Sequence, residues 1–333
     1  MAGSSNAGMP GIHHITAICG DPQRNLDFYT GLLGLRLVKK TVNFDDPGSY
    51  HLYYGDGLGS PGTIMTFFAW VLPPSAQANA RQGTGQITAT PFWIPEPSLD
   101  FWIDRLAAAG VDFDGPYERF GESVISLIDP DGLPLELVAR PGGELRAPWQ
   151  EGPLPLEHSI RGFSGATFCL SGYERTARLL TDTMGFREVS QEGSRFRFQV
   201  GEGEDAAMID LLCQPQASPG RMGIGAVHHI AWRTPSPEAQ REWRRLLAEA
   251  GMDVTPVLDR NYFESIYYRE PGGILFEIAT DPPGFTADES PEELGMHLKL
   301  PTWLEPRRER LEARLPELRL PVGPADHRCE EES

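Results

Sequence analysis

Two histidine doublets and one glutamate have the residue types that bind a divalent metal ion. The doublets are His13-His14 and His228-His229, and Glu277 lies in the middle of an apolar run. Two neutral imidazoles need a charged partner to hold such an ion, and a carboxylate is the usual third ligand. A carboxylate inside a buried strand is otherwise uncompensated and costly. Two histidines and one carboxylate with open coordination positions are typical of non-haem Fe(II) oxygenases.

The alternation of side chains along a strand selects one histidine from each doublet. His13 and His228 each share a face with the apolar residues that follow at every second position, which suits packing beneath a helix. His14 shares its face with Thr16 instead. We therefore expect His14 and His229 to point into a common site, with Glu277 as the third ligand.

Four segments of the chain repeat one pattern, which predicts the elements that must position these residues. In each, a strand-like run precedes a helix-like run, and short β-rich stretches follow. The four predicted first strands span residues 12–19, 86–94, 165–170 and 226–232. The four helix-like runs end in a glycine suited to a left-handed cap, namely Gly34, Gly110, Gly185 and Gly251. Asp21-Pro22 and Ser236-Pro237 mark two helix starts. Each module therefore reads β-α-β-β-β.

The positions of the histidines predict which modules pair. Residues 129–139 and 270–279 both read as a turn followed by a strand with a central glutamate, Glu136 or Glu277. The second and third modules have no histidine doublet in their first strands. The triad is complete only if module one pairs with module four, which leaves modules two and three to form a metal-free partner. Glu136 is then expected to be satisfied by hydrogen bonds or water.

Paired βαβββ modules that form an open cup resemble the vicinal oxygen chelate superfamily, which includes glyoxalases, extradiol dioxygenases and bleomycin-resistance proteins. The resemblance covers residues 11–284. It implies an α+β fold of four modules in two cup-shaped mixed sheets, with the ligands on the first and last strands of paired modules. A triad split between the chain ends, and the run 259–273, are similar to the hydroquinone 1,2-dioxygenase branch. By this resemblance Arg260, Tyr267, Thr16, His13 and His228 match positions near the metal or in contact with substrate.

Glyoxalase-type members of the superfamily use a fourth protein ligand on the last strand of the other module. Aligning Pro61-Gly62 with Pro271-Gly272 places Phe67 at that position, opposite Glu277. Phenylalanine cannot bind a metal, so open positions would remain for substrate and oxygen. We therefore expect an Fe(II) enzyme, with Mn(II) as an alternative, that opens the ring of a small aromatic diol with O2.

Three other functions remain open. A catechol extradiol dioxygenase would share every ligand, and a glyoxalase-type isomerase or lyase would use a metal without oxygen. A non-catalytic protein that sequesters an aromatic compound would use the same fold. Arg260 could also simply pair with Asp259 or Glu264, and Tyr267 could be an ordinary strand aromatic.

Composition narrows the class of protein. The 333 residues include 40% hydrophobic ones, enough for a sizeable core, and the formal net charge is −18. That charge argues against a nucleic-acid partner. No run approaches a membrane span, and residues 1–10 lack a signal-peptide pattern. The four cysteines are scattered without a CxxC pair, and three of them lie in apolar runs, which indicates reduced core residues. We expect a cytoplasmic protein, with homo-oligomer formation left open.

The module pattern predicts a division of the chain into three parts. Residues 8–150 form an N-terminal pair of modules and residues 151–290 a C-terminal pair. Residues 291–333 form a helical extension that ends in a disordered acidic tail. His51, His158, His297 and His327 have no constellation around them and are predicted to be structural or surface residues.

Overall fold

The computed structural model describes residues 8–71, 79–143, 146–203 and 206–320. The predicted acidic tail and His327 lie outside these ranges. Within them, no helix is long and apolar enough to cross a membrane.

Four βαβββ modules make up the described part of residues 12–283, as the sequence predicts. The strands are β1 (Ile12–Cys19), β2 (Arg36–Val42), β3 (Tyr50–Gly55), β4 (Ile64–Ala69), β5 (Gln86–Pro95), β6 (Phe113–Arg119), β7 (Glu122–Ile128), β8 (Pro134–Arg140), β9 (Gly165–Leu170), β10 (Arg187–Glu192), β11 (Arg195–Val200), β12 (Ala207–Cys213), β13 (Val227–Thr234), β14 (Leu258–Asp259), β15 (Phe263–Arg269) and β16 (Leu275–Pro283). The α-helices are α1 (Pro22–Leu26), α2 (Leu99–Ala108), α3 (Glu174–Arg178), α4 (Pro237–Glu249) and α5 (Arg308–Glu312). π-Helical turns, Asp27–Leu32 and Leu179–Thr183, extend α1 and α3.

The expected helix boundaries are present. The Asp21 carboxylate accepts the backbone N–H of Gln23 at 2.8 Å, and the Ser236 hydroxyl accepts that of Ala239 at 3.2 Å. Both side chains satisfy amides that the first helical turn leaves unpaired. The four predicted cap glycines all have positive φ, from 67° at Gly110 to 84° at Gly251.

The modules pair as expected, one with four and two with three. The first sheet has the strand order β14-β15-β16-β13-β1-β4-β3-β2, and the second has β10-β11-β12-β9-β5-β8-β7-β6. In each sheet the first strands of two modules meet antiparallel, while β1 pairs parallel with β4 and β13 parallel with β16. Both sheets are therefore mixed. Each takes one module from each half of the chain, so the boundaries at residues 150 and 290 remain a prediction.

One apolar core joins both sheets and the back of the site. Ile15 and Phe67 belong to it, on the face of the first sheet opposite His14. The extension after residue 284 packs against β2, where the buried ammonium of Lys39 pairs with Asp288 and Glu289. Cys19 and Cys169 are buried free thiols, and Cys213 is a half-buried one.

Candidate metal centre

Three buried side chains from three adjacent strands converge on one point. In the register of the sheet, Thr16 of β1 lies opposite His229 of β13, and Ala231 lies beside Glu277 of β16. The Nε2 atoms of His14 and His229 are 3.3 Å apart. Glu277 Oε2 lies 3.4 Å from the former and 2.9 Å from the latter. Among the described residues, this is the one group of three potential metal ligands within such reach.

The geometry of this triangle fits a divalent ion. Two ligand atoms at a right angle about an ion, each at about 2.1 Å, are about 3.0 Å apart, close to the observed edges. Glu277 Oε2 is buried, yet no described residue meets it with hydrogen-bond geometry. A buried carboxylate oxygen without such a bond is costly. Glu277 Oε2 lies close to the two ring nitrogens, but the geometry is not that of a hydrogen bond. A metal ion bound by all three atoms would explain this arrangement.

The other carboxylate oxygen is held by the protein. Ser265 Oγ, on β15, donates a short hydrogen bond to Glu277 Oε1, and both side chains are fully buried. Burial raises the pKa of Glu277, but the adjacent rings of His14 and His229 outweigh it and hold this pKa well below its usual value. Glu277 is therefore ionised at neutral pH, as a ligand must be.

The expectation that His13 and His228 pack beneath helices is wrong. The pairing of β1 with β13 skips both residues, because a bulge lies between Ile12 and His14 and another between Thr16 and Ala17. A bulged residue leaves the strict alternation of the strand. His13 instead lies 5.2 Å from the ring of Phe263, measured between centroids.

Each bulged histidine contacts the histidine that follows it, which belongs to the triad of His14, His229 and Glu277. The Nδ1 atoms of His13 and His14 are 2.9 Å apart, and those of His228 and His229 are 2.8 Å apart. If His14 and His229 present the lone pair of Nε2 to an ion, their Nδ1–H groups donate to these partners. Burial lowers the pKa of His229, and burial together with His229 lowers that of His228 to about 3.

A cavity of about 320 Å³ opens onto the triad. Aromatic rings and a few polar groups line it, and these are Asn43, Phe44, Asp45, His51, Tyr53, Phe68, Trp70, His228, Phe263, Tyr267 and Arg260. A larger cavity of about 610 Å³, beside Arg36 and Trp149, contains none of the triad residues. The smaller cavity suits a flat apolar ring that carries a polar substituent toward the triad.

Arg260 and Tyr267 lie together at this cavity. Arg260 Nε is 3.3 Å from the Tyr267 hydroxyl, and Tyr267 pairs across the sheet with Glu277. Arg260 does not pair with Asp259 or Glu264 but with Asp45, whose Oδ2 is 3.2 Å from Nη2. Burial, followed by Glu277, raises the pKa of Tyr267, which is therefore a neutral hydrogen-bond donor.

Phe67 is not opposite Glu277. The register places Thr16 beside Thr66 in module one and Ala231 beside Glu277 in module four, so Thr66 is the counterpart of Glu277. Phe67 faces the core, with its ring centroid 4.6 Å from that of Tyr29. The alignment on proline-glycine turns was one residue out, and one residue moves a side chain to the other face.

His51, predicted to be a structural or surface residue, belongs to a hydrogen-bonded chain of side chains beside the triad. Its Nε2 is 2.8 Å from Thr66 Oγ1 and its Nδ1 is 2.8 Å from the Tyr53 hydroxyl. Thr66 Oγ1 in turn lies 2.8 Å from Thr16 Oγ1. The sequence does carry a signal, because His51 and Tyr53 share a strand face, but locating that face required the register of β3 against β4.

In the second sheet, an ion pair occupies the position that corresponds to the triad. Glu136 accepts two hydrogen bonds from Arg119, at 2.8 and 2.6 Å, which agrees with the expectation that hydrogen bonds satisfy this carboxylate. Arg197 and Asp210 continue this buried ion cluster. Of the remaining histidines, His158 stacks on Phe101 with centroids 4.2 Å apart, consistent with a structural role.

Comparisons with known proteins agree with the fold. The family model of the Glyoxalase/Bleomycin resistance protein/Dioxygenase superfamily matches residues 11–137 and 166–278. MhqO of Bacillus subtilis (strain 168), provisionally named a ring-cleaving dioxygenase, is 50% identical over 91% of this chain and 94% of its own length. Chlorohydroquinone/hydroquinone 1,2-dioxygenase of Sphingobium indicum is 35% identical over 89% of this chain and 92% of its own.

Solved structures give the same result. A crystal structure of a provisionally named dioxygenase from Bacillus subtilis subsp. subtilis superposes with a TM-score of 0.89 and 47% identity. It covers 94% of this chain and 99% of that one. Glyoxalase I from Zea mays has a TM-score of 0.59 at 15% identity, over 81% of this chain and 92% of its own, and supports the fold alone.

Proposed function

This chain belongs to the glyoxalase/bleomycin resistance protein/dioxygenase superfamily, and from that membership we propose that it is an Fe(II)-dependent dioxygenase that cleaves the ring of a hydroquinone. Its similarity to proteins named as ring-cleaving dioxygenases supports the reaction class. The para-diol rests on the relative from Sphingobium indicum and on the triad shared between the chain ends.

The observation that carries the proposal is the unsatisfied Oε2 of Glu277 beside two histidine Nε2 atoms. Two imidazoles and one carboxylate suit Fe(II), and the same ligands accept Mn(II). The module-one counterpart of the carboxylate is Thr66, whose hydroxyl is already bonded to its neighbours. The protein therefore supplies three ligands and leaves the other side of the centre to substrate and oxygen.

When bound, Fe(II) would supply a place where the substrate oxygen and O2 are held side by side and exchange electrons. The residues of the chain do the rest. The aromatic walls hold the ring flat and exclude water, and the Arg260 guanidinium favours the ionised form of the substrate hydroxyl beside it. Tyr267 donates its O–H to charge that develops on oxygen. Both atoms of O2 enter the product as the ring opens next to a hydroxyl-bearing carbon.

His228 and His13 have defined proton positions in this proposal. Since His229 would donate its Nδ1–H to His228, the proton of His228 lies on Nε2, and His228 lines the cavity as a hydrogen-bond donor. His13 accepts from His14 at Nδ1 and is hydrogen-bonded to the Thr280 backbone. His13 therefore orients a ligand and does not meet the substrate.

The test loads the protein with Fe(II) under anaerobic conditions and measures oxygen uptake with hydroquinone and with catechol. Uptake with hydroquinone is expected, whereas preferential uptake with catechol would favour an extradiol enzyme. No uptake with either diol would contradict the dioxygenase proposal and favour isomerase or binding functions.

A matched pair of variants tests the ligand assignment. Glu277→Gln should lose iron and oxygen uptake together, because a neutral amide replaces the one charged ligand. Glu136→Gln makes the same change at the corresponding position of the second sheet and should keep both. Stoichiometric iron and full turnover in Glu277→Gln would show that the triad is wrong.

The proposal also includes a cytoplasmic location.

A further inference from the structure

The hydrogen-bonded chain from Tyr53 to Thr16 offers a second set of functional residues, on the module-one side of the centre. Thr16 lies two residues beyond His14 on the same strand face and directly across the strand pair from His229. Its side chain is fully buried, and Thr66 is the one hydrogen-bond partner of its hydroxyl among the described residues. The end of the chain therefore stands beside two of the three proposed ligands.

A chain of this kind can run in two directions, because each hydroxyl has one proton and each neutral imidazole has one N–H. Burial lowers the pKa of His51 well below its usual value, so the ring is neutral. If the His51 proton is on Nε2, it is donated to Thr66, Thr66 donates to Thr16, and the Thr16 proton is left for the centre. If the proton is on Nδ1, every bond reverses and Thr16 donates away from the centre.

Tyr53 decides between these directions. Burial raises the pKa of its phenol well above the usual value, so the hydroxyl keeps its proton. The side chain is 2% exposed, and His51 Nδ1 is its one hydrogen-bond partner within the described ranges. Buried phenolic protons are normally donated. Tyr53 therefore donates to Nδ1, which leaves the imidazole proton on Nε2.

We propose that Tyr53 and His51 are positioning residues that fix the direction of this chain, so that the Thr16 hydroxyl donates to an oxygen atom on the open side of the centre. The proposal rests on the proposed function for the identity of that oxygen, which belongs to the substrate or to O2. Thr66 is the link, since it stands where the fold places Glu277 in the other module.

The test compares Tyr53→Phe with Tyr54→Phe. Tyr54 is the next residue of the same strand and is also buried, but its hydroxyl donates to Asn25 Oδ1 on the other face, at 2.9 Å. NMR of ¹⁵N-histidine-labelled, metal-free protein reports which nitrogen of His51 is protonated. The wild type and Tyr54→Phe should have the proton on Nε2, whereas Tyr53→Phe should shift protonation toward Nδ1.

Turnover supplies the second readout. Tyr53→Phe should lower kcat for hydroquinone about fivefold, the worth of about one neutral hydrogen bond, with metal content unchanged. Should Tyr53→Phe fail to fold, Thr66→Val interrupts the chain with an isosteric side chain, and Thr66→Ser keeps the hydroxyl as its control. Thr66→Val should lose the same factor and Thr66→Ser should not.

A His51 proton on Nδ1 in the wild type, or a Tyr53→Phe variant with unchanged protonation and kcat, would overturn the proposal. Equal kcat in Thr66→Val and Thr66→Ser would do the same. If the wild type consumes no oxygen with any diol, the proposed function fails, while the NMR comparison still decides the direction of the chain.

Discussion

Replacing Ser265 with alanine should weaken metal binding without touching any of the three proposed ligands. Ser265 donates to Glu277 Oε1, and both side chains are fully buried. A hydrogen bond to a charged group contributes about 1.5–3 kcal/mol. Among the described residues Ser265 is the one partner of Glu277 Oε1, so the variant leaves that oxygen without a donor. At about 1.4 kcal/mol per factor of ten, the metal affinity should fall by about 10- to 150-fold. Losses of about 10- to 100-fold are usual for groups that orient a metal ligand.

Zn(II) competition against a chromogenic chelator measures this affinity without oxidation of the ion. Thr41→Val is the matched control, since Thr41 lies in the same sheet, is fully buried, and its hydroxyl has no partner among the described residues. It should bind Zn(II) like the wild type. If Ser265→Ala binds Zn(II) within about twofold of the wild type, Glu277 is oriented by something else and the reasoning is refuted.

Three further predictions concern the cavity and its buried histidines. Tyr267→Phe should keep stoichiometric iron and lower kcat. The loss should be smaller than that for an oxyanion donor in acyl transfer, which is about 10²- to 10³-fold. Full activity would show that Tyr267 only packs against its neighbours. Asp45→Asn removes the charged, exposed partner of Arg260, so the guanidinium should interact more strongly with the ionised substrate hydroxyl. KM for hydroquinone should fall by up to about fivefold. An unchanged KM would contradict this prediction. Burial lowers the pKa of His228 to about 3 and that of His51 well below its usual value, so the unfolded chain binds protons below about pH 6.5 that the folded chain does not. The free energy of unfolding of metal-free protein should therefore fall between pH 6.5 and 5, by urea titration, and fall less steeply in His51→Phe; equal slopes would contradict this.

The triad and the module pairing were predictable because histidine doublets occur in only two of the four first strands. His14 and His229 occupy the same place in two repeats, and Glu277 occupies the matching place in a last strand. The absence of histidines from the first strands of modules two and three then determines the pairing that the sheets confirm.

The finer features of the site depend on register, which residue types do not reveal. The bulges at His13 and His228 break the alternation from which their faces were inferred. Thr66 replaces Phe67 as the counterpart of Glu277 because the connection before β4 differs by one residue from that before β16. Ser265 and His51 become recognisable only once β15 and β3 are aligned with their neighbours.

Because module one pairs with module four, the proposed metal centre can form only after nearly the whole chain has been synthesised. His14 and His229 are 215 residues apart, so a nascent chain that ends within module three has one of the three proposed ligands and could not hold a metal ion. An ion bound between them would close a loop of that length. In the chain-entropy model such a cross-link disfavours unfolding by about 5 kcal/mol. Loss of metal would therefore weaken the first sheet where β1 and β13, from the two ends of the chain, meet.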